Sequence, residues 1–209
     1  MTESDLLPHA TKQRLLDAAG PVFAGAGYDG ASLRTICSLA GANLAAVKYH
    51  FGSKLDLYQA VLGEAGTYAR DHHPFPADHG GTPAERLGTL IDCIMRRVLD
   101  RGRPAWHARL MSREMADPSP SFSLIVDGLA KPLIAQMEAA VAAVLPAAGP
   151  SEIRAHAFSV VGQCLFYRHA AQLLAHLDAD NDPADRVDAI AQHITRFSLT
   201  AIAHRAEHP

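Results

Sequence analysis

The 209-residue sequence predicts an all-α protein: an N-terminal three-helix head containing a helix-turn-helix, followed by a larger helical domain. Three observations carry this expectation. Hydrophobic residues make up 48% of the chain but aromatic ones only 6%, a balance rich in Ala and Leu that favours packed helices over sheets. Apolar residues recur at three- and four-residue spacing in one segment after another. Capping residues stand where several of those periodic runs begin.

The first helix is expected over 11–26, with Leu15, Ala19, Val22 and Phe23 on one face and Gly27 as a left-handed stop. Pro21 lacks a backbone donor and is expected to bend it. Ser32 opens a short helix that carries Leu33, Ile36 and Leu39 inward. Ala40-Gly41-Ala42 supplies a tight turn, and a second short helix runs over 43–50. Ser53 caps the next helix with Asp56 reaching back, and Leu57, Tyr58, Val61 and Leu62 form its packing face. The stretch 70–81, RDHHPFPADHGG, breaks the helical pattern. The division that follows is a head over 8–55, a connecting helix and boundary over 56–80, and a C-terminal domain over 81–206.

Thr82-Pro83-Ala84-Glu85 combines an N-cap, a proline in the first turn and a return-capping carboxylate ahead of Leu87, Leu90, Ile91, Ile94 and Val98. A shorter helix is expected over 104–115. Pro118 and Pro120 precede a helical region over 121–145, which Pro132 bends or divides. One long helix is expected over 151–176, and Asp182-Pro183-Ala184-Asp185 opens a last one to about residue 204.

The net charge of -3 excludes a uniformly basic surface, but a small reading head needs positive charge only where it meets phosphate. Between Asp29 and Asp56 the charged side chains are Arg34, Lys48 and Lys54, with no carboxylate among them. Cys37, Cys93 and Cys164 are widely spaced and form no CxxC pair, so neither a disulfide framework nor a cysteine zinc site is indicated. The N-terminus lacks signal-peptide character and no apolar run is long enough to span a bilayer. A soluble cytoplasmic protein without a cofactor or a membrane partner is expected.

Two short helices joined by a glycine turn and held between longer ones form the arrangement that presents a recognition helix to the DNA major groove. Ile36, Leu39 and Val47 are expected to fix the angle between them. Asn43 is the candidate for reading adenine through its amide, and Lys48 can reach a base or a phosphate. Tyr49, His50, Lys54 and Ser32 are candidates for gripping the backbone, aided by free amides at the helix starts after Ser32 and Ser53. Structural alternatives stay open: Tyr49 in a core, His50 as a packing residue beside a core Phe51, and Lys48, Lys54, Arg34 and Lys12 as solvated charges.

Residues 15–62 resemble the TetR/AcrR family of bacterial regulators. The likeness rests on Ala18-Ala19, Phe23, Gly27-Tyr28, Ser32, Ile36, Ala40-Gly41, Tyr49-His50-Phe51, Ser53-Lys54 and Leu57. It implies a three-helix DNA-binding head, a homodimer and a two-fold-related operator, with DNA contacts at Ser32, Asn43, Lys48, Tyr49, His50 and Lys54. Two departures stand out: Pro21 inside the first helix, and Ala45-Ala46, which leave base recognition to Asn43, Lys48 and methyl contacts. Residues 109–133, RLMSREMADPSPSFSLIVDGLAKPL, resemble the CecR-like branch of that family, which implies a C-terminal sensing domain; a ligand-responsive repressor, with repression relieved by an inducer, is the expectation.

For an unknown small-molecule effector the candidate lining is Trp106, Leu110, Met111, Met115, Phe122, Phe166 and Tyr167, with Arg109 or Arg113 for an anionic group. Core packing is the competing reading for each apolar residue. The resemblance places the dimer interface on the last two helices, using Ala155, Phe158, Val161, Gly162 and Leu165 on one and Ile190, Ile194 and Phe197 on the other, with Val187 and Ala191 on the same apolar face. How these divide between the intrachain core and the interface is open. His72, His73 and His79 do not have the spacing of a zinc motif, and no metal is expected. An enzyme is one alternative, yet there is no glycine-rich nucleotide loop, HExxH or GxSxG, and Cys164 with His169 makes a poor thiol–base pair. A helical interaction protein that no longer binds DNA is the other.

Overall fold

The computed structural model describes residues 3–75, 80–102, 104–178 and 180–207, with side chains between residues 10 and 205. Among the described residues there are helices and no strands. The chain forms two compact units, Met1–Tyr68 with Arg103–Gly128, and Ala69–Gly102 with Leu129–Pro209.

In the first unit, α1 (Glu3–Gly30), α2 (Leu33–Ala40), α3 (Leu44–His50), the first part of α4 (Lys54–His72) and α6 (Ala105–Ala116) surround one core. Leu15, Ala19, Phe23, Ile36, Val47, Leu57, Tyr58, Val61 and Leu110 are buried there. Pro21 does not bend α1: it faces solvent, where the carbonyl left without a partner can be hydrated. The break falls at Gly27 (φ 75°), where a Cβ would lie 2.5 Å from Arg113 Nε. Gly20 admits α6 closely, since a Cβ at that position would meet the Trp106 ring at 2.5 Å.

Ser32 and Gly41 behave as expected. The Ser32 hydroxyl accepts from Thr35 N, and Gly41 takes the left-handed conformation (φ 58°) that lets its N–H and that of Ala42 close α2. Leu39 does not point inward. It is 66% exposed, and Cys37 takes the buried position beside Ile36 and Ala40. Phe51 is only partly buried, with the Lys12 ammonium over its ring.

A polar cluster completes this core. The Tyr58 hydroxyl on α4 donates to the Glu114 carboxylate on α6, which also accepts from Ser119 N and Ser119 Oγ at 3.3 and 3.0 Å. Glu114 is 1% exposed, so these donors replace its water. Burial, then the Glu114 hydrogen bond, push the Tyr58 phenol well above its usual range and keep it a neutral donor.

The second unit packs α5 (Pro83–Leu99), α8 (Lys131–Val144), α9 (Pro150–His169), α10 (Ala171–Leu177) and α11 (Val187–Glu207). Its core holds Leu87, Leu90, Ile91, Met95, Met137, Val141, Val160, Val161, Cys164 and Ile194. Thr82 and Glu85 form the reciprocal capping box. The helical region after Pro120 divides as the proline suggests: α7 (Phe122–Ile125) passes through a π turn, Val126–Ala130, into α8, whose second residue is Pro132.

Two expected helices are broken. The 151–176 helix stops at Ala170 (φ -92°, ψ 11°), where no glycine or proline marks the sequence, and restarts as α10. The 182–204 helix begins instead as a 3-10 turn, Pro183–Asp185, and α11 starts after it. The Arg101 guanidinium clasps Asp182 and Asp185 at 2.7 Å each, meeting that turn from more than eighty residues away in sequence.

Tyr58→Phe keeps the ring and deletes the donor to Glu114. It is expected to destabilise the protein by about 1–3 kcal/mol, seen as a lower urea midpoint with unchanged slope.

Candidate nucleic-acid interface

The reading helix α3 is seven residues long, too short to be stable alone, so its position depends on its neighbours. Val47 is its one buried residue, packed in the core with Ile36 of α2. Two cations fasten the surrounding helix ends. Arg14 Nε donates to Ala40 O at 3.1 Å, satisfying a carbonyl at the C-terminus of α2, and Lys54 Nζ donates to Asp29 O at 3.1 Å near the end of α1. Lys54 also stands over the Tyr28 ring, 5.0 Å from its centre.

The expected contact residues fall into distinct positions around this frame. Ser32 stands at the exposed N-terminus of α2; its hydroxyl accepts a cap bond and retains its proton for a phosphate. Lys48 and Tyr49 are exposed on α3, Tyr49 at 79%, and the Tyr49 ring stands edge-on to His50. His50 is partly buried beside Phe51. Arg34 is exposed as well. Thus α2 and α3 present Arg34 and Lys48 to solvent with no carboxylate between them, a surface suited to phosphate.

Asn43 has a second duty beside the expected base contact. It is the N-cap of α3, not its first helical residue, and its Oδ1 accepts from Ala46 N at 2.9 Å. The Nδ2 group stays available as a donor, and a paired contact to adenine has to share Oδ1, one of whose two lone pairs is engaged in the cap. The start of α4 carries the expected pairing of Ser53 with Asp56, which leaves fewer free amides there than the phosphate-gripping expectation required. Ser53 Oγ accepts from Asp56 N at 3.1 Å and donates to Asp56 Oδ2 at 2.5 Å, so that amide is occupied and a carboxylate stands beside it. A phosphate is less welcome there than at Ser32.

Sequence reasoning missed Arg14 as the fastener of the turn and Leu39 and Leu44 as exposed apolar residues of the head, Leu44 at 48%. The capping preference of Asn before a helix was the available signal for Asn43. For Arg14 there was none, since its acceptor is a backbone carbonyl 26 positions away.

The candidate effector residues are divided between the two units. On α6, Trp106 covers Gly20, Leu110 is fully buried, and Arg113 packs at Gly27 and donates to Gly25 O at 3.2 Å. These three hold α6 against α1. Arg109 and Met115 are exposed; Met111 and Phe122 are partly buried. In the second unit Phe166 is half exposed, while Tyr167 lines a groove of about 390 Å³ with Leu174, Arg186, Ile190, His193 and Arg196.

On α9 and α11 the structure separates two faces. Val161, Ala191 and Ile194 are buried in the core, with Leu165, Val187 and Ile190 packed against it. Ala155, Phe158 and Gly162 on α9 and Phe197 on α11 face outward, the two phenylalanines 55% and 59% exposed.

Cys164 is buried, and desolvation pushes its thiol up to about 12, the opposite of an activated nucleophile. His169 Nδ1 lies against Leu165 O, 3.1 Å away. Among the described residues no three His, Cys, Asp or Glu side chains are grouped to hold a metal ion; His79 lies outside them. No described helix is long and apolar enough to cross a membrane.

Residues 15–61 match the family described as bacterial regulatory proteins, tetR family, and residues 83–202 match the C-terminal domain of the HTH-type transcriptional dual regulator CecR. The HTH-type transcriptional dual regulator CecR of Shigella flexneri is 26% identical over 75% of each chain. The regulator SrpR of Pseudomonas putida is 41% identical over 43% of this chain and 38% of its own. A regulatory protein in the tetR family from Rhodococcus RHA1 superposes with a TM-score of 0.69 at 20% identity, over 92% of this chain and 96% of that one; it shares the fold.

Asn43→Ser retains a cap oxygen and loses the amide donor. Its stability is expected to stay within about 0.5 kcal/mol of wild type while base preference at one operator position relaxes; Asn43→Ala is expected to lose about 1 kcal/mol as well, by thermal melting beside a DNA-binding titration.

Proposed function

This chain belongs to the TetR family of bacterial regulatory proteins, and from that premise we propose a ligand-responsive repressor that works as a homodimer on a palindromic operator. Membership makes it a DNA-binding transcriptional regulator rather than an enzyme. The observation that carries the reading is the coincidence of the family match over 15–61 with a short helix held rigidly at one edge and left open along the other. In this reading Ser32, Tyr49, His50 and Lys54 position the head on phosphates, Asn43 reaches the groove, and Lys48, which can meet a base or a phosphate, is assigned to a phosphate at its edge.

The exposed stripe Ala155, Phe158 and Gly162 with Phe197 supports self-association through α9 and α11. Aromatic residues half open to water on adjacent helices are characteristic of faces that find a partner. A second copy placed by a two-fold axis brings two heads to matching half-sites. The groove at Tyr167 is in the size range of small-molecule sites, and Arg186 and Arg196 suit it to an effector with an anionic group. Such an effector relieves repression only if it binds the DNA-free arrangement more tightly. The proposed location is the cytoplasm, with operator DNA, a second copy and the effector as partners.

Selection of genome-derived fragments by the purified protein across a salt series is expected to return one palindromic sequence; recovery of none overturns operator binding by the unliganded protein. Lys48→Ala is expected to reduce the slope of log affinity against log salt by about one for each head and to weaken all sequences alike. An effector that strengthens operator binding would overturn relief of repression. Phe158→Glu and Phe197→Glu are each expected to weaken the dimer at least about tenfold in sedimentation, because they place a charge in an apolar contact.

A further inference from the structure

The head leaves three large apolar side chains open to water among its described residues up to Tyr68: Leu39 at 66%, Leu44 at 48% and Tyr49 at 79%. All three lie within eleven positions, on the two helices of the helix-turn-helix, while the leucines of α1 and α4 that carry the core are buried. The part of each leucine that stays in water adds nothing to the fold. Leu44 occupies a particular place: it is the first residue of α3, immediately after the cap, where a recognition helix makes its base contacts. The hydrogen-bonding capacity around it is small. Asn43 Oδ1 gives one of its two lone pairs to Ala46 N, and Ala45, exposed beside it, offers only a methyl group.

An apolar tip in the major groove can be answered by one base feature. Of the four base pairs' edges only thymine presents an apolar group there, its 5-methyl; every other recognition feature is a donor or an acceptor that a leucine leaves unsatisfied. We propose that Leu44, flanked by Ala45, is a specificity-determining residue that packs on a thymine 5-methyl group in each operator half-site. The inference rests on DNA reading by α3 and adds the base and the atom it reads.

The test replaces each thymine of the selected operator in turn by deoxyuridine, which deletes one methyl and leaves every hydrogen-bonding group in place. For the wild-type protein one such position per half-site is expected to weaken binding about fourfold, the loss that follows from one apolar methyl contact. Leu44→Ala is expected to bind the thymine and uracil operators equally, with an unchanged melting temperature because the residue is exposed, whereas Leu39→Ala retains the wild-type preference. Failure to select any DNA overturns reading by α3, and this proposal with it. Selection of an operator with no methyl-dependent thymine, persistence of the fourfold difference in Leu44→Ala, or its disappearance in Leu39→Ala instead, overturns the assignment to Leu44 and leaves DNA reading by α3 standing.

Discussion

The first unit depends on a hydrogen bond between Tyr58 and Glu114 in a place without water. Hydrophobic packing of α4 and α6 against α1 is non-directional and tolerates sliding. A buried carboxylate does not, because any displacement that separates it from Tyr58 and Ser119 leaves a charge without water or donors. The Tyr58 ring is itself fixed, edge-on to Phe23 and tilted against Tyr28, so the hydroxyl has one direction in which to donate. Trp106 against Gly20 and Arg113 against Gly27 add close contacts along the same helix. Thus α6 belongs to the same compact unit as the helix-turn-helix.

At the reading edge the same residue types divide between holding and contacting. Arg14 and Lys54 are cations whose first partners are carbonyls at or near helix C-termini, which fastens the frame and, at Lys54, leaves further ammonium protons for the proposed phosphate contact. Lys48 and Arg34 extend into solvent from that frame. Asn43 lies between the two roles, since the oxygen that starts α3 is the one a paired base contact requires. A short recognition helix thus gives up part of its polar reading capacity to be a helix at all, which shifts recognition toward donors and apolar contacts.

In the second unit α9 and α11 are apolar on more than one side, and burial separates the sides. Val161, Cys164 and Ile194 close the core, and Phe158 and Phe197 lie outside it. Their periodic pattern reads as one broad stripe, because a stripe that serves a core and a stripe that serves a partner differ only in the angle at which they leave the helix axis.

Much of the local chemistry was legible in the sequence, although the Asn43 cap was not read from it. The caps at Ser32 and Thr82, the left-handed turn at Gly41, the buried faces of α4 and α5 and the interruption near Pro132 follow from interactions within four residues, and the motif over 15–62 marked the family from the same short-range pattern. Tertiary structure alone decided the rest. Leu39 faces outward because Cys37 fills the core position beside Ile36. The turn before α11 is met by Arg101, more than eighty positions earlier, and Glu114 is a buried anchor because Tyr58, 56 positions earlier, arrives beside it. Each of these depends on a partner that only folding brings within hydrogen-bonding or packing distance, and such energies leave no period in the sequence.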